Sequence, residues 1–181
     1  MSNDNEKKNS LQPSDVLSKL TELQQPQLPT LPGSPSQTET VIDSFRGDFG
    51  FLSNFHEASI WIDGERYPSV EHAYQAAKTL DPATRKLIRE VARPGEAKKL
   101  GKAVQLRPDW DEVKVDLMRK FVREKFKNPI LRAMLIATED AKLVEGNTWN
   151  DTFWGVCRGR GSNWLGRILM EVREECKKEE G

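Results

Sequence analysis

Histidine and cysteine are nearly missing from this chain: among 181 residues only His56 and His72, and only Cys157 and Cys176, occur. Two cysteines without a Cys-x-x-Cys spacing exclude a disulfide framework and a cysteine zinc site. Two scattered histidines exclude a histidine-rich metal centre, so neither a metal nor a cofactor is expected. Excess charge is missing too. The chain holds 28 Lys plus Arg against 28 Asp plus Glu with the signs interspersed, so no general field draws it onto duplex nucleic acid, although a nucleotide-sized ligand stays open. No apolar run approaches the length that spans a bilayer, and Met1 to Gln25 lacks the basic and apolar regions of a signal peptide. The expectation is a cytoplasmic or nuclear protein with no membrane partner.

What is present divides the chain in two. Residues 1–41 are rich in Ser, Gln, Asn, Pro and Thr and carry few aromatics, too little apolar surface to offset the entropy of ordering, so they are expected to be a disordered tail. Pro26, Pro29, Pro32 and Pro35 recur at the period of a polyproline II helix, which suits an extended spacer, or a contact for an unknown SH3-like protein partner. Leu17, Leu20 and Leu23 fit one or two helical turns.

Residues 42–178 are expected to form an α+β, helix-dominated single domain with a small antiparallel sheet. Val41 to Phe45 and Ala58 to Ile62 read as strands, and Asp63-Gly64 supplies a tight turn into Glu65-Arg-Tyr67. Pro82, Pro94 and Pro108 each stand where a helix can begin. The spacing predicts the longest helix near Asp109 to Lys127, with Val113, Leu117, Phe121 and Phe126 inward and Lys114, Lys120, Arg123 and Lys125 outward. Pro129 opens a further helix through Ala137, Lys142 to Glu145 fits a short strand, and Trp164 to Lys177 a terminal helix. Regular βαβ alternation is lacking, which excludes a doubly wound sheet.

The segment Ser69-Val-Glu-His-Ala-Tyr-Gln-Ala-Ala-Lys78 carries the sharpest chemical pattern. Tyr67-Pro68-Ser69 marks a helix start. Along such a helix Glu71, Gln75 and Lys78 fall on one stripe about 10 Å long, the scale of a ribosyl unit, with His72 beside them. A first-turn carboxylate is favoured as the anion by the helix dipole, so Glu71 is expected to be ionised unless burial reverses it. Ala73, Ala76 and Ala77 leave little polar surface, so the helix belongs inside the domain. Lys78 in an apolar wall can then become a neutral, nucleophilic amine.

Three other clusters accompany it. Arg46-Gly-Asp-Phe-Gly50 leads into Phe51-Leu-Ser-Asn-Phe55, where Arg46 can meet a phosphate, Ser53 and Asn54 hydroxyls, and Phe55 a base; a turn stapled to the core by its phenylalanines explains the same residues equally well. In Asn147 to Gly155, Trp149 or Trp154 can sandwich a nucleobase, and Asp151 can stabilise a cationic sugar or activate water. Cys157-Arg-Gly-Arg-Gly161-Ser-Asn163 runs into the last helix, so its amides with Arg158 and Arg160 can receive a phosphate.

Phe51-Leu-Ser-Asn-Phe55, Ser69 to Lys78, and Asn150-Asp-Thr-Phe-Trp-Gly155 with Gly161-Ser-Asn-Trp-Leu-Gly166 together resemble the NADAR family of YbiA-like N-glycosidases. Arg107-Pro-Asp-Trp110, Leu135 to Thr138 and Lys142-Leu-Val-Glu145 fit in order, so the resemblance spans about residues 42–176. It implies hydrolysis of the bond between a ribosyl phosphate unit and a nitrogen base, in one of two substrate classes: ADP-ribose on guanine of nucleotides, DNA or RNA, or early ribosylamino-pyrimidine phosphates of riboflavin synthesis. It gives Glu71, Trp110 and Asp151 site roles and matches Lys78 to a lysine that captures the sugar. Gly155, Arg158 and Asn163 complete the expected binding set. A noncatalytic ADP-ribose reader and a helical scaffold are the readings from other classes.

Overall fold

The computed structural model describes residues 40–180. The expectations for the tail, including its proline spacer and short helix, therefore lie outside the described residues but for Thr40 and Val41.

The first element follows from local chemistry. β1 (Val41–Ile42) leads to a 3₁₀ helix (Gly47–Leu52), and β2 (Ile60–Ile62) pairs antiparallel with β3 (Glu65–Tyr67). The turn between them needs two residues in the left-handed region, and Asp63 and Gly64 supply φ values of +52° and +83°. Ile60, Ile62 and Tyr67 point into the core while Trp61 faces outward.

α1 (Val70–Ala76) is central and wholly buried. Ser69 caps it, its hydroxyl accepting the His72 amide. The helix ends before Lys78, because the amides of Lys78 and Thr79 bond back three residues, to Gln75 and Ala76 at 3.3 and 3.4 Å. Lys78 thus sits in the turn after the helix rather than on it. Around α1 stand α2 (Pro82–Glu90), α3 (Pro94–Gly101) and α4 (Trp110–Lys125). Prolines in the first turn start α2 and α3, as the sequence suggests, and Asp81 caps α2 by accepting the Thr84 amide at 2.8 Å.

α5 (Pro129–Ile136) and α6 (Trp164–Glu180) complete the helices. α6, at 17 residues, is one longer than α4, although the sequence spacing predicts α4 as the longest helix. Arg119 to Glu171 at 2.9 Å and Arg123 to Glu175 at 2.5 Å tie their exposed faces. The short strands form two further parallel pairs beside the antiparallel hairpin: β1 with β4 (Lys142–Leu143), and β5 (Gly146–Asn147) with β6 (Val156–Cys157).

One side chain lies opposite to its expected direction. Lys125 is 2% exposed, and its Nζ donates to the Ser53 carbonyl at 2.8 Å. Burial without a countercharge pushes this amine down to about 7.

Candidate active site

Because Lys125 holds Ser53, the loop after the 3₁₀ helix is pinned against α4. The next carbonyl, Asn54 O, accepts the Glu71 amide at 3.0 Å, so the loop docks on the start of α1. Asn54 also donates from Nδ2 to Met118 Sδ at 3.4 Å. Loop and helix thereby form two walls of a cavity of about 590 Å³; α3 contributes Gly95 and Lys98, and the segment from Glu145 to Trp154 closes it.

Glu71, Lys78 and Asp151 all line this cavity. Glu71 is 5% exposed, and burial raises its carboxyl above the usual range, opposed by the hydrogen bond from Gln75 Nε2 at 2.8 Å and by Lys98 and Lys78. The helix start alone favours the anion; burial outweighs it. Gln75 is itself fixed, since a Cβ on Gly101 would collide with its Oε1.

Burial also lowers the Lys78 amine, opposed by Glu71 and assisted by Lys98 and Lys102. Its backbone is held by the Arg107 amide, which donates to the Lys78 carbonyl at 2.7 Å. Asp151 is oriented by the amides of Phe153 and Trp154, which donate to Oδ1 at 3.1 and 2.9 Å. Asn147 grips the Asp151 backbone on both sides, at 2.8 and 3.0 Å.

Arg46, Ser53, Asn54, Phe55, Gln75 and Trp154 share the cavity with them, as the sequence suggests. Trp154 is edge-on to Tyr74 with centroids 5.3 Å apart and donates Nε1 to its hydroxyl at 3.2 Å.

Five expected binding residues lie off the cavity wall. His72 turns away, its Nδ1 2.8 Å from Ser69 Oγ and its Nε2 3.2 Å from the Val91 carbonyl; it pins α1 to the chain before α3. Trp110 packs on Tyr74 at 5.2 Å. Gly155 sits where a Cβ would strike the Glu145 carbonyl, and Asn163 bonds the backbone of Glu145 and Leu143. Arg158 stands exposed at φ +51° in a tight turn closed by reciprocal bonds between Cys157 and Arg160, so two of the loop's amides are spent within the loop.

Conversely, the cavity includes residues for which no site role is expected from the sequence: Glu145, Lys98 and Tyr74. Lys98 Nζ lies 5.5 Å from the Phe55 ring and 6.0 Å from the Trp149 ring, both at the rim. The sequence signal for Glu145 was its place beside Gly146 within a motif-bearing segment; nothing local marks Lys98. No metal cluster of His, Cys, Asp and Glu is found among the described residues.

A buried carboxylate, a depressed amine and a second, amide-anchored carboxylate around one cavity define a pocket suited to a sugar carbon that becomes cationic. The NADAR domain profile matches residues 43–177, and the chain belongs to that family. It is 44% identical over 143 residues to N-glycosidase YbiA of Escherichia coli (strain K12), covering 76% of this chain and 89% of that protein. It is 43% identical over 130 residues to riboflavin biosynthesis protein VVA0006 of Vibrio vulnificus (strain YJ016), covering 70% of this chain and 35% of that one. Among solved structures, the NMR structure of E. coli YbiA superposes with a TM-score of 0.69 at 38% identity, covering 83% of this chain and 95% of that one.

Proposed function

We propose that this protein is an N-glycosidase that removes ADP-ribose from guanine bases of nucleic acid or nucleotides. The observation that carries the reading is the convergence of Glu71 on α1, Lys78 in the turn that follows it and Asp151 from a distant loop on one cavity of about 590 Å³. Breaking a ribosyl C–N bond builds positive charge on the ring carbon and oxygen. Glu71, held in a costly buried state before reaction, and Asp151 both interact more favourably with that charge than with the neutral ground state. Lys78, with its depressed amine, can trap the opened sugar as a Schiff base that water then releases.

Arg46 and Lys98 provide cations around the same cavity, which suits the paired phosphates of ADP-ribose. The names of N-glycosidase and riboflavin biosynthesis relatives support the coarser activity and keep a second reading: hydrolysis of a ribosylamino-pyrimidine phosphate. Incubation with ADP-ribosylated guanosine and, separately, with that pyrimidine phosphate ranks the two. Release of free guanosine is expected; turnover of the pyrimidine alone selects the second reading. A Glu71→Gln variant that still binds ADP-ribose but loses the turnover shown by the wild type identifies an enzyme, whereas binding by both without any turnover identifies a reader. Borohydride in the presence of substrate is expected to leave an adduct on Lys78, and its absence leaves direct water attack.

A further inference from the structure

Glu145 lies between β4 and β5, and its backbone is fixed from several sides. Asn163, at φ +52°, accepts the Glu145 amide on Oδ1 at 3.0 Å and donates to the Leu143 carbonyl at 2.9 Å. The Glu145 carbonyl accepts the Val156 amide at 2.8 Å. Neighbouring glycines allow this close packing: a Cβ on Gly146 would collide with the Asp43 carbonyl, and one on Gly155 with the Glu145 carbonyl, while lying 3.0 Å from Glu145 Cγ. The side chain therefore passes over Gly155, with room for a hydrogen only, to the cavity it lines.

The three cavity carboxyls are not equivalent. Glu71 receives the Gln75 amide, and Asp151 receives two backbone amides. Glu145 Oε2 is buried and has no hydrogen-bond partner among the described residues. A buried carboxyl oxygen without a donor is disfavoured as the anion. Burial is the first cause that pushes Glu145 up to about 7; Asp151 in the facing loop and Glu71 on α1 add to it, while Lys98 on α3 and Arg46 before the 3₁₀ helix oppose it.

We propose that Glu145 is the proton donor to the departing base, passing its carboxyl hydrogen to the base nitrogen as the bond to ribose C1′ breaks. This rests on the N-glycosidase reading. The bonding electron pair goes to the nitrogen, which takes the Glu145 proton, so the base leaves neutral. C1′ finally takes the oxygen of water, directly or after Lys78, and the proton that water sheds returns to the Glu145 carboxylate. An amine nitrogen leaves poorly as an anion, so the acid acts where the reaction is most demanding, and Glu71 and Asp151 are left to face the cation.

The test compares ADP-ribosylated guanosine with ADP-ribose carrying 4-nitrophenolate at the same anomeric carbon, a group that leaves without a proton. On the guanosine substrate, wild-type kcat/KM is expected to fall as pH rises through about 7, and on the nitrophenyl substrate no such limb is expected. Glu145→Gln is expected to lose about 100-fold or more on the first and less than about 10-fold on the second. Equal losses on both substrates by a folded variant, or an unchanged alkaline limb, overturn the assignment. Should the variant not fold, an alkaline limb common to both substrates in the wild type overturns it. Wild-type turnover of neither substrate removes the ADP-ribose reading and this inference with it, whereas turnover of both with identical pH profiles removes the proton donor alone.

Discussion

Gln75 donates its Nε2 to Glu71 Oε1 at 2.8 Å, one turn along α1, while its own Oε1 is buried against Gly101 without a partner among the described residues. The amide thus supports the ionised form of Glu71 against the burial that raises it. Gln75→Met keeps the length of the side chain and removes the donor. The Glu71 carboxyl then rises further, so any limb of kcat/KM that requires its anion moves to higher pH. A pH–rate profile checks this: activity is expected to fall more on the acid side than on the alkaline side, and an unmoved limb removes Glu71 as the anion the reaction needs.

Lys125 gives a stability prediction. The native state releases this proton near pH 7, while the unfolded chain holds it to 10.5, so the unfolded state binds more protons between these values. Stability from this group is therefore least below about 7 and rises with pH across that window. The cost of charging the buried amine is on the order of 3–5 kcal/mol, against about 1 kcal/mol for its bond to Ser53. Lys125→Met is expected to raise Tm in mildly acidic buffer and to lower it slightly in strongly alkaline buffer. A Tm change independent of pH overturns the buried, uncountered amine.

That lysine also shows where the sequence was legible. Lys125 stands four residues after Phe121, on the buried stripe of α4, yet the expectation put it outward with the other charges of the helix; burial of the long stem and one carbonyl acceptor decided otherwise. Local signals fared well where one segment determines the outcome: Asp63-Gly64 for the hairpin, Ser69 for the start of α1, Asp81-Pro82 for α2. The place of Glu71 and Asp151 on one cavity was legible from the small and aromatic residues around each of them. Glu145 and Lys98 were not, since their place depends on glycines and rings from distant segments meeting around them. His72 read as a ligand contact because it shares the helix with Glu71, yet its face meets Ser69 and Val91 instead.

Trp149 is 51% exposed at the cavity rim, with Phe55 and Lys98 beside it, so its removal costs little folding energy. If the rings hold the base, Trp149→Ala is expected to raise KM by about 10-fold, within the worth of one stacked base, with kcat nearly unchanged. Steady-state kinetics on ADP-ribosylated guanosine decide it. A fall in kcat at constant KM places the ring in the chemistry instead.

Gly155→Ala tests the placement of Glu145 without altering any ionisable group. A methyl at Gly155 would meet the Glu145 carbonyl, would lie 2.8 Å from Asn147 Nδ2, and would crowd Glu145 Cγ. The β5–β6 bridge must open to admit it, at a cost of about 1–3 kcal/mol in stability. Glu145 then swings from its position while Glu71, on α1, stays where it is. The expected kinetic signature is selective: a large loss on the amine-linked substrate, a small one on the nitrophenyl substrate, and an alkaline limb that weakens or moves toward lower pH as water reaches the carboxyl. Asn147 also grips the Asp151 backbone, so a loss on both substrates alike would show that the methyl acts through Asp151 and not through Glu145.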